Sequence, residues 1–301
     1  MKVKANGIDI EVEDTGAGSG PGSGKPRPVV LLIMGLGLQL VAWPPALVSA
    51  LVAAGYRVIR HDNRDIGLSQ YFDHLGVPNL LWAMLRFKLG LSVASPYSLK
   101  DMAADSIGVL DALGVQRAHV VGVSMGGMIA QRVALAAPER VASLTSIMSS
   151  SGARGLPEPK ARVMRALFSR PASNALEDIV SHYVMLYKTI GSPAFPIPEA
   201  EMKERILKGI KRSFHPAGTL RQMAAIAADH SRAKELARIE KPTLVLHGHS
   251  DPLVPYPCGE DTARRIRGAR LVGIEGMGHD LAPGVIERLL PPLFPFLLAH
   301  R

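Results

Sequence analysis

The stretch VVGVSMGGMIAQ, residues 120–131, changes character at its centre. Val120 to Val123 read as the end of a buried β-rich run, residues from Met125 onward read as helix, and Ser124 stands between Gly122 and Gly126. A Gly-x-Ser-x-Gly spacing at a strand-to-helix junction is that of a sharp turn that lifts a serine hydroxyl out of the backbone. Glycines on both sides remove the Cβ atoms that would hold strand and helix apart, and the turn imposes strained dihedrals on the serine. A strand feeding a helix in this way is also the repeating unit of an α/β sheet.

Similar runs recur on both sides of this junction. PVVLLIMG (28–35), YRVIRHD (56–62), AHVVGVS (118–124), VASLTSIMS (141–149), PTLVLHG (242–248) and ARLVGIE (269–275) read as strands, and IDIEVED (8–14) alternates as a half-buried strand does. Helical segments separate most of them. One starts at Ser98 with Asp101 three residues on, as in a capping box, and stops at Gly114; another runs from Met125 until Pro138 ends it. The alternation predicts an α/β fold, a mostly parallel sheet with helices on both faces.

Between Gly152 and about Ile239 no buried strand can be read. In LEDIVSHYVMLYKTI (176–190), Leu176, Ile179, Val180, Tyr183, Val184 and Tyr187 fall on one helix face. The expected division is therefore a core of residues 1–151 and 239–301 and a helical insertion, 152–238, that leaves the core just after the strand following the helix begun at Met125. Folded over the carboxyl edge of the sheet, it forms a lid above Ser124. The segment from Tyr71 to Tyr97, too long and apolar for a plain connection, is expected to add cover over the same edge. Trp82, Met84 and Phe87 from that segment, with Tyr183, Tyr187 and Phe214 from the insertion, are the expected lining of an apolar substrate pocket.

Composition narrows the classes. Of 301 residues, 47% are hydrophobic and 20% charged, as in a soluble globular protein. The start, MKVKANGIDIEVED, has no apolar leader core, and no apolar run approaches the ~20 residues that span a bilayer, so a cytoplasmic location and no membrane partner are expected. The one cysteine, Cys258, has no internal disulfide partner. The net charge of +9 is scattered, and the denser stretches KERILKGIKR (203–212) and RRIRGAR (264–270) are interrupted by apolar residues as solvated faces are; no nucleic-acid partner is expected. The loop TGAGSGPGSGKP (15–26) carries Gly24-Lys25, but Ser19 and Pro26 stand where a phosphate-binding loop needs Gly and Ser or Thr; it reads as a linker.

A neutral serine needs a base, and the base an orienting carboxylate. LVLHGHSDPLVP places Asp251 just beyond one strand, and IEGMGHDL places His279 just beyond the next; Ser, Asp, His is the chain order of this arrangement on such a sheet. Asp280 adjoins His279 and diverges from it, Asp261 falls in a helix, and His61, His119 and His182 read as strand-end or helix-face residues. HGHSD (247–251) also reads as His-x-His-x-Asp, a spacing used by some two-metal hydrolases, but Pro252 stands where a further histidine is needed, so no metal site is expected. The oxyanion of the tetrahedral intermediate is expected to meet the backbone amides of Met125 and of Leu36, the latter in the IMGLG turn with Gly35 and Gly37.

The residues IMGLGLQLVAWP, HDNRDIGLS, GVSMGGMIAQRVALAAPERVASLTSIMSSSG, HGHSDPLVP and GMGHDL resemble bacterial serine hydrolases of the α/β-hydrolase superfamily over nearly the whole chain. The chain looks most similar to the small esterases that include polyketide methylesterases of the aclacinomycin type, with haloperoxidase-like esterases as cousins. That resemblance implies about eight core strands and a helical cap. Met34 and Val123 stand where relatives often carry His and a polar residue; these departures bear on substrate preference and leave a backbone oxyanion hole intact. The expected activity is cofactor-free hydrolysis of small or medium apolar acyl esters through an acyl-enzyme. The same triad serves lactones, amides, carbon–carbon bonds and perhydrolysis, and a small-molecule receptor retaining the fold is the alternative of another class, separated from an enzyme by sustained turnover.

Overall fold

Alternate residues of one short strand bury themselves in two different cores. In β3 (Val29–Ile33), Val29, Leu31 and Ile33 join an apolar cluster on one side, while Val30 and Leu32 join a second on the other. A strand buried on both faces lies between two helical layers. The computed structural model describes residues 1–16 and 27–301, so the linker read from residues 15–26 lies, from residue 17 to 26, outside the described residues.

The remaining strands are β1 (Lys2–Ala5), β2 (Ile8–Asp14), β4 (Arg57–His61), β5 (Ala118–Val123), β6 (Val141–Ile147), β7 (Thr243–Gly248) and β8 (Arg270–Ile274). They form one eight-stranded sheet in the order β1-β2-β4-β3-β5-β6-β7-β8. The β1–β2 and β2–β4 pairs are antiparallel and all others parallel. All seven runs read as strands are strands, and β1 is an addition. Asn6 and Gly7, at φ 49° and 78°, close a two-residue hairpin between Ala5 and Ile8, a turn that Asn-Gly favours.

The helices are α1 (Pro45–Ala53), α2 (Leu80–Lys88), α3 (Leu99–Ala112), α4 (Met125–Ala136), α5 (Ala161–Leu167), α6 (Leu176–Ile190), α7 (Glu199–Arg212), α8 (Pro216–Ala228), α9 (Arg232–Glu235), α10 (Tyr256–Arg265) and α11 (Pro283–Ala299). Residues of α3 and α4 fill one side of the sheet, those of α1 and α11 the other. The capping box of α3 forms as expected: the Asp101 amide donates to Ser98 Oγ at 3.2 Å, and the Ser98 amide to the Asp101 carboxylate at 2.8 Å.

Helices α5 to α9 follow one another with no strand among them, as the sequence predicts for this region. The apolar face of α6 buries Ile179, Val180 and Val184 and packs Tyr183 and Tyr187 against Met202 and Ile206 of α7. Leu176, expected on that face, is exposed because it belongs to the first turn, before the helix meets its neighbour. Buried ion pairs tie the helices of residues 152–238 to the loop after β4 and to α4. Arg221 grips Asp65 through two bonds of 2.7 and 2.8 Å, and Asp229 takes charge-assisted bonds from both Arg132 of α4 and Arg232 of α9. Removing one partner of such a pair leaves a buried charge unmatched, which costs several kcal/mol, roughly 3–5.

Candidate active site

Ser124 sits at φ 55°, the first residue beyond β5 and the N-cap of α4. A left-handed dihedral at a non-glycine residue is strained, and the surroundings hold it there: its N–H donates to Ile147 O at 2.9 Å, and its carbonyl accepts from Gly127 N at 2.9 Å and Ser149 Oγ at 2.7 Å. The two flanking glycines are needed for closeness. A Cβ on Gly122 would stand 2.0 Å from Gly126 O, and one on Gly126 would stand 2.0 Å from Ile33 O.

The carboxyl ends of β7 and β8 deliver the two other expected residues. His279 Nε2 lies 2.9 Å from Ser124 Oγ, and His279 Nδ1 lies 2.7 Å from Asp251 Oδ2. A carboxylate only accepts, so the ring proton belongs on Nδ1 and Nε2 is left to accept from the serine hydroxyl. Asp251 Oδ1 accepts from the amides of Leu253 and Val254 at 2.9 and 2.8 Å. Asp251 and His279 are 4% and 8% exposed, so this chain of hydrogen bonds is largely shielded from water.

The rival residues turn elsewhere. Asp280 accepts from the amide and hydroxyl of Ser192, and burial raises its carboxyl above the ordinary range. Asp261 is occupied by Ser151, Arg264 and Arg265. His61 and His119 are buried against Ser106 and Ser143, and burial pushes the His119 imidazole down to about 4. His182 lies edge-on to its neighbour Tyr183. Within HGHSD, His247 Nε2 donates to Val254 O at 2.7 Å, while His249 stacks on Tyr256. Among the described residues no three His, Cys, Asp or Glu side chains gather in a metal-holding group.

The IMGLG turn lies against the serine, with a Cβ on Gly35 placed 3.3 Å from Ser124 Cβ. Leu38 N donates back to Gly35 O and Gly37 takes φ 68°, so Leu36 and Gly37 are the middle of a tight turn that requires glycine third. Among the described residues the backbone N–H groups of Leu36 and Met125 meet no protein acceptor, which leaves both free to serve a ligand.

Residues that sequence reasoning missed hold this turn from the insertion. Gln222 of α8, fully buried, accepts from Gly37 N at 3.0 Å and donates to Arg64 O at 2.9 Å. Gln39 donates to Gly209 O and Ser213 O at the end of α7, and Asp62 joins the Leu40 amide to Arg212 of the same helix. Arg212 therefore departs from the expected solvated face of KERILKGIKR. The histidine loop is held likewise: His279 N donates to Ile190 O at 2.8 Å, and Gly278 N to Ser192 Oγ at 2.8 Å. No local periodicity marks which polar residues of the insertion will be buried; only the tertiary pairing does.

Of the residues expected to line a pocket, Met84, Phe87, Tyr183 and Tyr187 are half-buried. Phe214 is 42% exposed, with its ring edge-on to Tyr183. Trp82 is 57% exposed on the outside of α2 and faces solvent, because α2 buries Ala83 on its other side, where it packs against α8.

Comparison with known proteins agrees with this architecture. Residues 28–282 match the family model described as alpha/beta hydrolase fold. The chain is 34% identical to rhodomycin D methylesterase DauP of Streptomyces sp. strain C5 over 86% of each protein. It is 27% identical to a 2-hydroxy-6-oxononadienedioate/2-hydroxy-6-oxononatrienedioate hydrolase of Paraburkholderia xenovorans strain LB400, over 77% of this chain and 73% of that one. Among solved structures it is similar to a meta-cleavage product hydrolase of Pseudomonas fluorescens IP01, with a TM-score of 0.74, 20% identity, and coverage of 100% and 98%.

Proposed function

The chain belongs to the α/β-hydrolase fold family and is an esterase-type hydrolase; from that premise we propose that it cleaves carboxylic esters through a Ser124–His279–Asp251 triad and an acyl-enzyme. The observation that carries the proposal is the unbroken chain of two hydrogen bonds, 2.9 and 2.7 Å, from Ser124 Oγ through His279 to Asp251. Ser124 Oγ attacks the ester carbonyl carbon while His279 Nε2 takes its proton. The carbonyl electrons move to oxygen, where the Leu36 and Met125 amides stabilise the charge. Collapse expels the alcohol, protonated by His279, and leaves Ser124 acylated. His279 then deprotonates a water, which attacks the acyl carbon; the second tetrahedral intermediate collapses, His279 returns the proton to Ser124 Oγ, and the acid leaves. No cofactor enters these steps.

Substrate size follows from the insertion, residues 152–238, acting as a cap. Its bonds to both the Gly35–Gly37 turn, through Gln222, and the histidine loop, through Ser192, support that reading. Tyr187 and Tyr183 of α6, with Met84, Phe87 and Phe214, are the apolar side chains we assign to the pocket wall; solvent-facing Trp82 is left out. Small or medium apolar acyl groups suit an enclosed site. A methyl ester is favoured for the alcohol side by the similarity to rhodomycin D methylesterases. In a series of monomeric esters, kcat/KM is expected to rise up to roughly fourfold per added methylene, from ~0.8 kcal/mol each, and then to fall once the pocket is full. Undiminished activity on long chains, or sharp activation at an oil–water interface, would show that the insertion does not confine the substrate.

Gln222→Ala tests the grip of the insertion on the oxyanion turn. With Gly37 N unbonded the Leu36 amide loses its fixed direction, and kcat is expected to fall roughly tenfold, about 1.4 kcal/mol, with KM nearly unchanged. A loss of thermal stability with unchanged kcat would make Gln222 a packing residue only.

A further inference from the structure

Among the described residues, exposed large apolar side chains cluster on α2 and the loops that flank it. Leu81 is 75% exposed, Trp82 57% and Leu89 64%, with Leu85, Val77 and Leu91 also open to solvent. At 100° per residue, Leu81, Leu85, Leu89 and Trp82 fall within an arc of about 100°, with Lys88 on one border and Arg86 on the other. The opposite side, where Ala83 is buried, rests on α8. A contiguous apolar stripe of this kind marks an interaction surface rather than scattered exposure.

Charge identifies what it faces. From His74 to Lys100 there is no Asp or Glu, while Arg86, Lys88 and Lys100 are basic. The neighbouring segment adds to the same sign: residues 152–171 contain Arg154, Lys160, Arg162, Arg165 and Arg170 against the single acid Glu158. The two segments adjoin. Arg154 lies beside Gly90, and Lys88 reaches Glu158 at 3.8 Å. A second copy of the chain docked on this stripe about a two-fold axis would set like charges against each other, with Glu158, already paired with Lys88, the one acid among Arg86, Lys88 and the five cations of residues 152–171. An anionic bilayer answers both features, with leucines in the acyl boundary, the indole at headgroup depth, and Arg and Lys on lipid phosphates.

We propose that α2 and its flanking loops dock the protein on the surface of an anionic lipid bilayer. The expectation of no membrane partner rested on the lack of a spanning run. Among the described residues no helix is long and apolar enough to cross a membrane, and surface docking needs none.

The chain supplies its own probe, since it has two tryptophans and the other, Trp43, is fully buried. Titration with vesicles of phosphatidylcholine containing one third phosphatidylglycerol is expected to shift Trp82 emission to the blue and to carry the protein into the vesicle pellet. Trp82→Phe abolishes the shift without abolishing cosedimentation. Arg86→Gln and Lys88→Gln are each expected to weaken partitioning roughly fivefold at low salt. The double variant Leu81→Ser, Leu89→Ser abolishes binding while turnover of a soluble ester without vesicles is kept, which separates lost docking from misfolding. No shift on anionic vesicles, equal binding to pure phosphatidylcholine, or a blue shift that follows protein concentration without lipid would each overturn the proposal, the last in favour of self-association.

Discussion

Ser124→Ala is expected to lower kcat by on the order of 10⁵- to 10⁶-fold, the largest effect of any single substitution in the site. Without Oγ there is no nucleophile for His279 to deprotonate, and the residual rate is what the oxyanion amides and substrate positioning supply alone. The fold is kept. The bonds that hold residue 124 at φ 55° come from its own N–H and carbonyl, and alanine retains both. Thermal unfolding therefore separates lost chemistry from lost structure. A fluorophosphonate probe is expected to label the native protein at Ser124 and leave the variant unlabelled, as read by peptide mass spectrometry. Labelling at another serine, with activity retained in the variant, would remove Ser124 from the mechanism.

The elbow was legible in the sequence because its demands are local. Gly122 and Gly126 stand where a Cβ would collide with backbone, and no residue but glycine meets that demand. The strands beyond it were legible because a layer buried on both faces leaves an unbroken β-branched run, as in Val29–Ile33. The hairpin of β1 also carries a local signal, the Asn6-Gly7 turn, but its first strand is only four residues long and buries only the last of them, so no apolar run marks it. Gln222 is another matter. Its role arises from Gly37, 185 positions away, and within α8 it is one polar residue among others. Trp82 erred in the other direction. An apolar side chain on a helix reads as buried, yet α2 has a single neighbouring layer and its outer stripe meets solvent.

Asp251→Asn is the second large effect, a fall in kcat on the order of 10⁴-fold by analogy with triads whose acid is neutralised in place. The geometry says why charge and direction both matter. Asp251 Oδ1 is committed to the amides of Leu253 and Val254, so asparagine placed there keeps its carbonyl oxygen on those donors and turns its NH₂ toward His279. An NH₂ facing Nδ1 requires that nitrogen to be unprotonated, which moves the ring proton to Nε2. Nε2 then has no lone pair for the hydroxyl of Ser124, 2.9 Å away, and the imidazolium formed during attack loses its counter-charge as well. Asp280→Asn is the matched control: its carboxylate is spent on Ser192, so the expected loss is less than tenfold. Fluorophosphonate labelling of Ser124 is expected to slow in Asp251→Asn and persist in Asp280→Asn, with both variants folded by thermal unfolding. If Asp280→Asn lost thousands-fold while Asp251→Asn stayed within tenfold of the native rate, the orienting acid would be Asp280, and the 2.7 Å contact between Asp251 and His279 would be structural.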